Sequence, residues 1–173
     1  MFRASYVYDN LGNLRWTIDP LGTETFYRYD ALNRVTGIFS TPAGTPLTVA
    51  DRRDILSDAF TPDQRSDANP DTTIPATTIA YTPTAYGWRE TVTDPHGNAT
   101  VTQRDFLGRV QYVVQPSVVK GLYLRSPVTW YDYFADGLLQ SVTDAEFHAT
   151  AYRYDGRGRL SATLEPTCRR IGP

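Results

Sequence analysis

The sequence predicts an all-β fold of tandem antiparallel hairpins joined in one curved sheet, and three observations predict it. The first is recurrence. Tyr27-Arg28-Tyr29-Asp30-Ala31-Leu32-Asn33-Arg34-Val35 returns as Tyr152-Arg153-Tyr154-Asp155-Gly156-Arg157-Gly158-Arg159-Leu160, and an earlier copy, Tyr6-Val7-Tyr8-Asp9-Asn10-Leu11-Gly12, opens the chain. The second is fixed spacing. Tyr8 stands 21 residues before Tyr29, as Tyr133 does before Tyr154. A second phrase, Asp-Pro-x-Gly, at Asp19-Pro20-Leu21-Gly22 and Asp94-Pro95-His96-Gly97, alternates with the first; Asp19 to Asp30, Asp94 to Asp105 and Asp144 to Asp155 are each steps of 11. Gly12, Gly87 and Gly137 each precede the next of these aspartates by 7. The third observation is a two-residue alternation between the phrases, the period of a β-strand.

Taken in order, the stretch from Phe2 to Asp9 alternates with Tyr6 and Tyr8 on one side and reads as a strand. Asp9-Asn10-Leu11-Gly12 then turns the chain, because an Asp at the first turn position accepts from the backbone that follows and Gly at the fourth tolerates positive φ. Pro20 and Pro95 pre-set φ at the second position of their turns, before Gly22 and Gly97. Asn33 stands where the other copies carry Gly, Asn being the next most tolerant residue. The segments Asn13 to Asp19 and Thr23 to Asp30 have the usual length of strands and a β-prone composition. Thr23, Thr25, Tyr27 and Tyr29 share one face, and Glu24, Phe26 and Arg28 the other. In the last copy His148, Thr150, Tyr152 and Tyr154 stand against Ala149, Ala151 and Arg153. Neither face is purely polar, which suggests a sheet covered on both sides.

The rhythm stops between 40 and 80 in a polar stretch where Asp51 to Leu56 suits one helical turn and Pro62, Pro70 and Pro75 forbid a long helix. It resumes near Tyr81, with Gly87 in a turn slot. The next copy, Arg104-Asp105-Phe106-Leu107-Gly108-Arg109-Val110, keeps Asp105, Gly108 and Arg109 but has Arg104 where Tyr29 stood. A second interruption, 115–130, contains β-prone runs at Val113-Val114 and Leu122-Tyr123-Leu124 that read as strands of an expanded hairpin. Phe134-Ala135-Asp136-Gly137 and Asp144-Ala145-Glu146-Phe147 are worn copies of the two turns. The expected organisation is repeats at 1–39, 81–114 and 131–166, insertions at 40–80 and 115–130, and a tail at 167–173, all one structural unit. Because the chain starts and stops within a repeat, and repeats bury their apolar faces against neighbours, a longer array is expected.

The 173 residues are 40% hydrophobic and 21% charged, enough apolar material for about one domain. A net charge of −2 gives no electrostatic reason for a nucleic-acid or anionic-membrane partner, and no apolar run approaches the ~20 residues of a membrane helix. The N-terminus lacks the apolar core of a signal peptide. A single cysteine, Cys168, forms no intrachain disulfide and lacks the context of a nucleophile. His96 and His148 have no second ligand at metal spacing. No Gly-x-Ser-x-Gly elbow and no phosphate-cradling glycine loop occurs, and no pair of carboxylates is marked for glycosidase chemistry. The reading is therefore a non-enzyme with no cofactor and no metal. Its evenly spaced aspartates are turn formers, and its tyrosines form a cross-strand packing ladder rather than a sugar platform. The residues that carry the repeat are Tyr8, Asp9, Gly12, Asp19, Pro20, Gly22, Tyr27, Tyr29, Asp30, Asn33, Asp94, Pro95, Gly97, Asp105, Gly108, Tyr133, Gly137, Tyr152, Tyr154, Asp155 and Gly158.

The alternation Asp-Pro-Leu-Gly, then Tyr-Arg-Tyr-Asp-x-Leu-Asn-Arg-Val, resembles the YD repeat of the Rhs family of bacterial polymorphic toxins, toxin-complex B and C components and, distantly, teneurins. The resemblance covers residues 2 to 39, 81 to 110 and 131 to 166. It implies a segment of a larger Rhs-type β-shell, a spiral of hairpins that encloses or carries a toxin. The implied partners are further repeats, or a toxin portion of the same or a companion protein, and the implied setting is secreted or at the cell surface through a dedicated secretion system. Self-cleavage by an Asp-rich motif in that family is not carried over, since Asp19-Pro20 sits inside an ordinary repeat. A glycan- or protein-binding repeat module is the alternative. Poorly protected edges at Phe2 to Tyr8 and near Leu164 add the expectation of a homo-oligomer through edge strands.

Overall fold

The computed structural model describes residues 3–41, 76–120 and 123–165. Among them every regular element is a strand, and none is a helix long and apolar enough to cross a membrane. In chain order the strands are β1 (Ser5–Tyr8), β2 (Leu14–Ile18), β3 (Glu24–Tyr29), β4 (Val35–Thr41), β5 (Ala76–Thr84), β6 (Gly87–Thr93) and β7 (Ala99–Arg104). They continue as β8 (Val110–Val114), β9 (Val118–Lys120), β10 (Tyr123–Arg125), β11 (Val128–Tyr133), β12 (Leu139–Thr143), β13 (Ala149–Tyr154) and β14 (Leu160–Leu164). Twelve form one open sheet in the order β1 to β8 and then β11 to β14. The remaining two, β9 and β10, pair only with each other.

The all-β expectation therefore holds, with two adjustments. The first strand is shorter than the alternation of Phe2 to Asp9 suggested, and all four of its residues are exposed. The interruption at 115–130 is a small separate sheet: Val128 and Thr129 of β11 pair with Val114 and Val113 of β8, so β9 and β10 are left to each other. Val113 and Val114 thus belong to the main sheet rather than to the extra hairpin. The segment Asp51 to Leu56, the prolines after it and Cys168 lie outside the described residues.

The chain divides into two compact units, one comprising Met1–Ala80 and Val92–Gly97, the other Tyr81–Thr91 and Asn98–Pro173. In the first, alternation along β3 buries Glu24 and Phe26 while Thr25 and Tyr27 stay half-buried. Register then builds the core: Phe26 lies opposite Phe39 of β4 and opposite Trp16 of β2, and Phe39 lies opposite Ala76 of β5. Phe26 and Phe39 are each 1% exposed, and the Trp16 indole stacks on Phe26 with centroids 6.0 Å apart. Gly37 leaves the space that the Phe39 ring uses, since a Cβ there would fall 2.8 Å from Phe39 Cε2. Glu24 is buried beside this row and accepts the Trp16 indole N–H at 3.1 Å. The buried face is thus the Glu24–Phe26–Arg28 face, not the Tyr/Thr face.

In the second unit the corresponding register row is aliphatic. Val101 lies opposite Val114, and Val114 opposite Val128. A polar side chain is buried in this unit: Gln103 is 2% exposed and donates from Nε2 to Thr84 Oγ1 (2.8 Å) and to the Arg104 carbonyl (3.0 Å). Gly87 is buried against the same loop at φ +139°. A Cβ there would meet the Arg104 carbonyl oxygen at 2.2 Å, a backbone approach that only glycine permits.

Candidate functional site

The aspartates of the two repeat phrases build one kind of turn. At Asp30 the Asn33 amide donates to the Asp30 carbonyl (3.0 Å), and the Asp30 amide donates to the Arg34 carbonyl (2.9 Å). The side chain closes the same loop from inside, Oδ1 accepting the amides of Leu32 (2.9 Å) and Arg34 (3.0 Å). This is the three-residue hairpin loop, a type I turn followed by a left-handed residue. Asn33 occupies the left-handed position at φ 58°, and glycines occupy it in other copies, among them Gly12, Gly22, Gly97, Gly108, Gly137 and Gly158.

The pattern repeats with small variation. Oδ1 of Asp9 accepts from Leu11 and Asn13, that of Asp19 from Leu21 and Thr23, that of Asp105 from Leu107 and Arg109, and that of Asp155 from Arg157 and Arg159. Asp94 accepts the His96 amide at 2.8 Å, after Pro95. At Gly137 the aspartate is replaced: Phe134 supplies the backbone bonds of the turn.

The second carboxylate oxygen recruits the residue four places on. Arg34, Arg109 and Arg159 each donate Nε to Oδ2 of their own aspartate at 2.7–2.8 Å. Asn13 donates to Asp9 at 3.0 Å, and His148 Nδ1 lies 3.2 Å from Asp144 Oδ2. These donors hold the carboxyls below the ordinary aspartate range: the Arg34 guanidinium and then its amide for Asp30, the Arg159 amide and then its guanidinium for Asp155, the Thr23 amide for Asp19. At Asp105 partial burial pulls upward, and the Arg109 bonds outweigh it. Each of these carboxylates is occupied in shaping its own turn. Among the described residues, no three or more His, Cys, Asp or Glu side chains are grouped so as to hold a metal ion.

The turns of the first phrase are each preceded by an irregularity in the ladder, at Val7/Tyr8, Arg28/Tyr29, Gln103/Arg104, Asp132/Tyr133 and Arg153/Tyr154. A bulge re-aims the side chain at that point. Tyr29 uses it to donate its hydroxyl to the Leu14 carbonyl (2.8 Å), and Tyr154 does the same to Leu139 (2.9 Å). Tyr133 instead lies under the Arg109 guanidinium, 4.9 Å from its ring centroid, and burial pushes its phenol up. Arg104, in the tyrosine slot, donates to the Gly108 carbonyl at 3.3 Å. Tyr8 is exposed, and Tyr27 and Tyr152 lie opposite Ile38 and Thr163.

One aromatic pair escaped the sequence reading. Phe147 fills the left-handed slot of its turn at φ 66°, where Gly22 and Gly97 stand in the equivalent copies. It is 78% exposed, and its ring stacks on Trp130 with centroids 6.0 Å apart and planes at 19°. The left-handed conformation costs a residue with a Cβ about 1–2 kcal/mol, and an aromatic pair returns about 0.5–1.5 kcal/mol beyond the apolar area it buries. The signal was present, since Phe147 stands in a glycine slot, but its ring partner depends on register.

Residues 131–167 match the family model described as RHS Repeat. That segment carries an Rhs repeat, as the resemblance of its tyrosine and aspartate phrases implies. The fold of the chain is also found in the crystal structure of TcdB2–TccC3, with a TM-score of 0.61 at 12% identity, over 95% of this chain and 10% of that one. Weaker similarity extends to TcdB2–TccC3 without its hypervariable C-terminal region (TM-score 0.41, 15% identity, 94% of this chain and 10% of that one). It also extends to a Photorhabdus luminescens Tc holotoxin pore (TM-score 0.37, 14% identity, with the same two shares). The chain thus spans about a tenth of the length of the structures it matches, and at these identities the likeness concerns the fold alone. No curated protein sequence matches it.

Proposed function

We propose that this chain is a wall segment of a β-shell that encloses or carries a toxin, and that it has no enzymatic activity of its own. The observation that carries the reading is the open sheet of consecutive antiparallel hairpins, which shares its fold with a tenth of the length of TcdB2–TccC3. The repeat chemistry supports it: the aspartate carboxyls are spent on their turns and the Tyr29 and Tyr154 hydroxyls on neighbouring strands, leaving rigid units that repeat. In this reading the blocks 1–39, 81–114 and 131–166 form the wall, 40–80 and 115–130 are inserted into it, and 167–173 is a tail. The partners are further repeats or a toxin portion of the same or a companion protein, exported by a dedicated secretion system. The strands β1 and β14 end the sheet order, and their backbones are where neighbouring repeats or a second copy would add.

The test is to isolate the chain together with the polypeptides encoded beside it and image the assembly by electron microscopy. A closed shell with polypeptide density inside is expected. A chain that light scattering shows to be monomeric at high concentration, with no companion, overturns the reading.

A further inference from the structure

We propose that the Trp130–Phe147 pair is a saccharide-binding platform on which a pyranose ring stacks. Phe147 is the outermost member of the pair. Its backbone sits in a conformation that the equivalent copies of the turn give to Gly22 and Gly97, and its ring, stacked on Trp130, is 78% exposed. A ring displayed to solvent on a rigid support is what an incoming ligand uses.

The surroundings select the ligand class. Trp130 lies directly opposite Thr143, and Asp132 opposite Ser141, so the four share one face of the β11–β12 pair. Ser141 Oγ donates to Asp132 Oδ2 at 2.9 Å, which orients an exposed carboxylate with acceptor capacity left over. An aromatic wall flanked by hydroxyls and a carboxylate matches a sugar, which offers an apolar C–H face and hydroxyls around its rim. A purely apolar peptide would leave those polar groups unpaired. The proposal stands apart from the shell reading, because it depends only on residues of one compact unit and not on what the sheet encloses.

Phe147→Gly gives a clean test, since glycine is the residue that the equivalent turns carry and it relieves the positive φ. The intact chain and the variant would be applied to an array of glucose-, galactose-, mannose- and N-acetylglucosamine-terminated oligosaccharides, with thermal melting of both recorded. The expected result is a wild-type signal for at least one of these sugars, a loss of about tenfold or more in Phe147→Gly, and a melting temperature equal to or above wild type. Wild-type protein that binds none of the sugars overturns the proposal. So does undiminished binding by the variant, and so does a variant that melts clearly lower, which would make Phe147 a structural cap for Trp130.

Discussion

Phe26 and Phe39 face each other across the β3–β4 hairpin with Trp16 next in the row, whereas at the same register β13–β14 sets Ala151 opposite Leu164 with Ser141 beside it. The turns of the two hairpins are nearly superimposable in their bonding. Asp30 and Asp155 each take two amides at Oδ1 and an arginine Nε at Oδ2, and Tyr29 and Tyr154 each tether a carbonyl on the preceding strand. The lesson is that the two halves of a repeat are separable. Local hydrogen bonding makes the hairpin, and side chains on one face decide how strongly it is packed.

The largest expected effect tests the packed side of that contrast. Phe26→Ala should destabilise the first unit by about 3–5 kcal/mol, as loss of a buried aromatic does. Leu164→Ala, at a partly exposed position of the corresponding row, should cost about 1 kcal/mol or less. Chemical unfolding of both variants measures the difference, and equal losses would break the comparison.

The second unit has its own point of intolerance. Gly87→Ala places a Cβ against the Arg104 carbonyl at a φ that disfavours any L side chain, and the expected loss is on the order of 3 kcal/mol. Gly12→Ala shares the positive φ but meets nothing within 4 Å, so only its strain of about 1 kcal/mol should appear. Thermal melting of the pair separates backbone approach from backbone conformation.

A smaller effect tests what the hairpins have in common. Tyr29→Phe and Tyr154→Phe each remove one hydroxyl-to-carbonyl bond and nothing else, so each should cost about 1 kcal/mol, and by a similar amount in the two units. Two equal shifts in the unfolding midpoint would show that the tether acts independently of the core beneath it.

The smallest effect is expected from acid. Asp19, Asp30 and Asp155 have folded pKa values below the ordinary 3.8. The unfolded chain therefore binds protons first as pH falls. Their stabilising contribution is complete above the ordinary value and is lost as pH drops through it toward the folded values. Unfolding midpoints measured from pH 6 to below pH 3 should be flat and then decline, and Asp30→Asn should flatten part of that decline.

The turns could be read from the sequence because their causes are local. An aspartate, a left-handed glycine or Asn33 at the fourth position and an arginine at the fifth all lie within five residues, so spacing alone named Asp30, Asn33 and Asp155 before any fold was known. The irregularities before the turns at Asp9, Asp30, Asp105, Phe134 and Asp155 and the reach of Tyr29 to Leu14 were not readable in this way, since a bulge depends on how two strands pair.

What the sequence determined by itself was the strand period, the turn positions and the repeat, all of which follow from φ preferences and hydrogen bonds between near neighbours. Only the tertiary structure decided which face is buried. Glu24, Phe26 and Arg28 read as the mixed face beside a stripe of tyrosines, yet that face holds the core, because register sets Phe26 against Phe39 and Trp16. The same holds for Gln103 on Thr84, Gly87 on Arg104 and Phe147 on Trp130. Each joins residues 17 to 19 positions apart, and alternation along a strand says which residues share a face but not which face other residues cover.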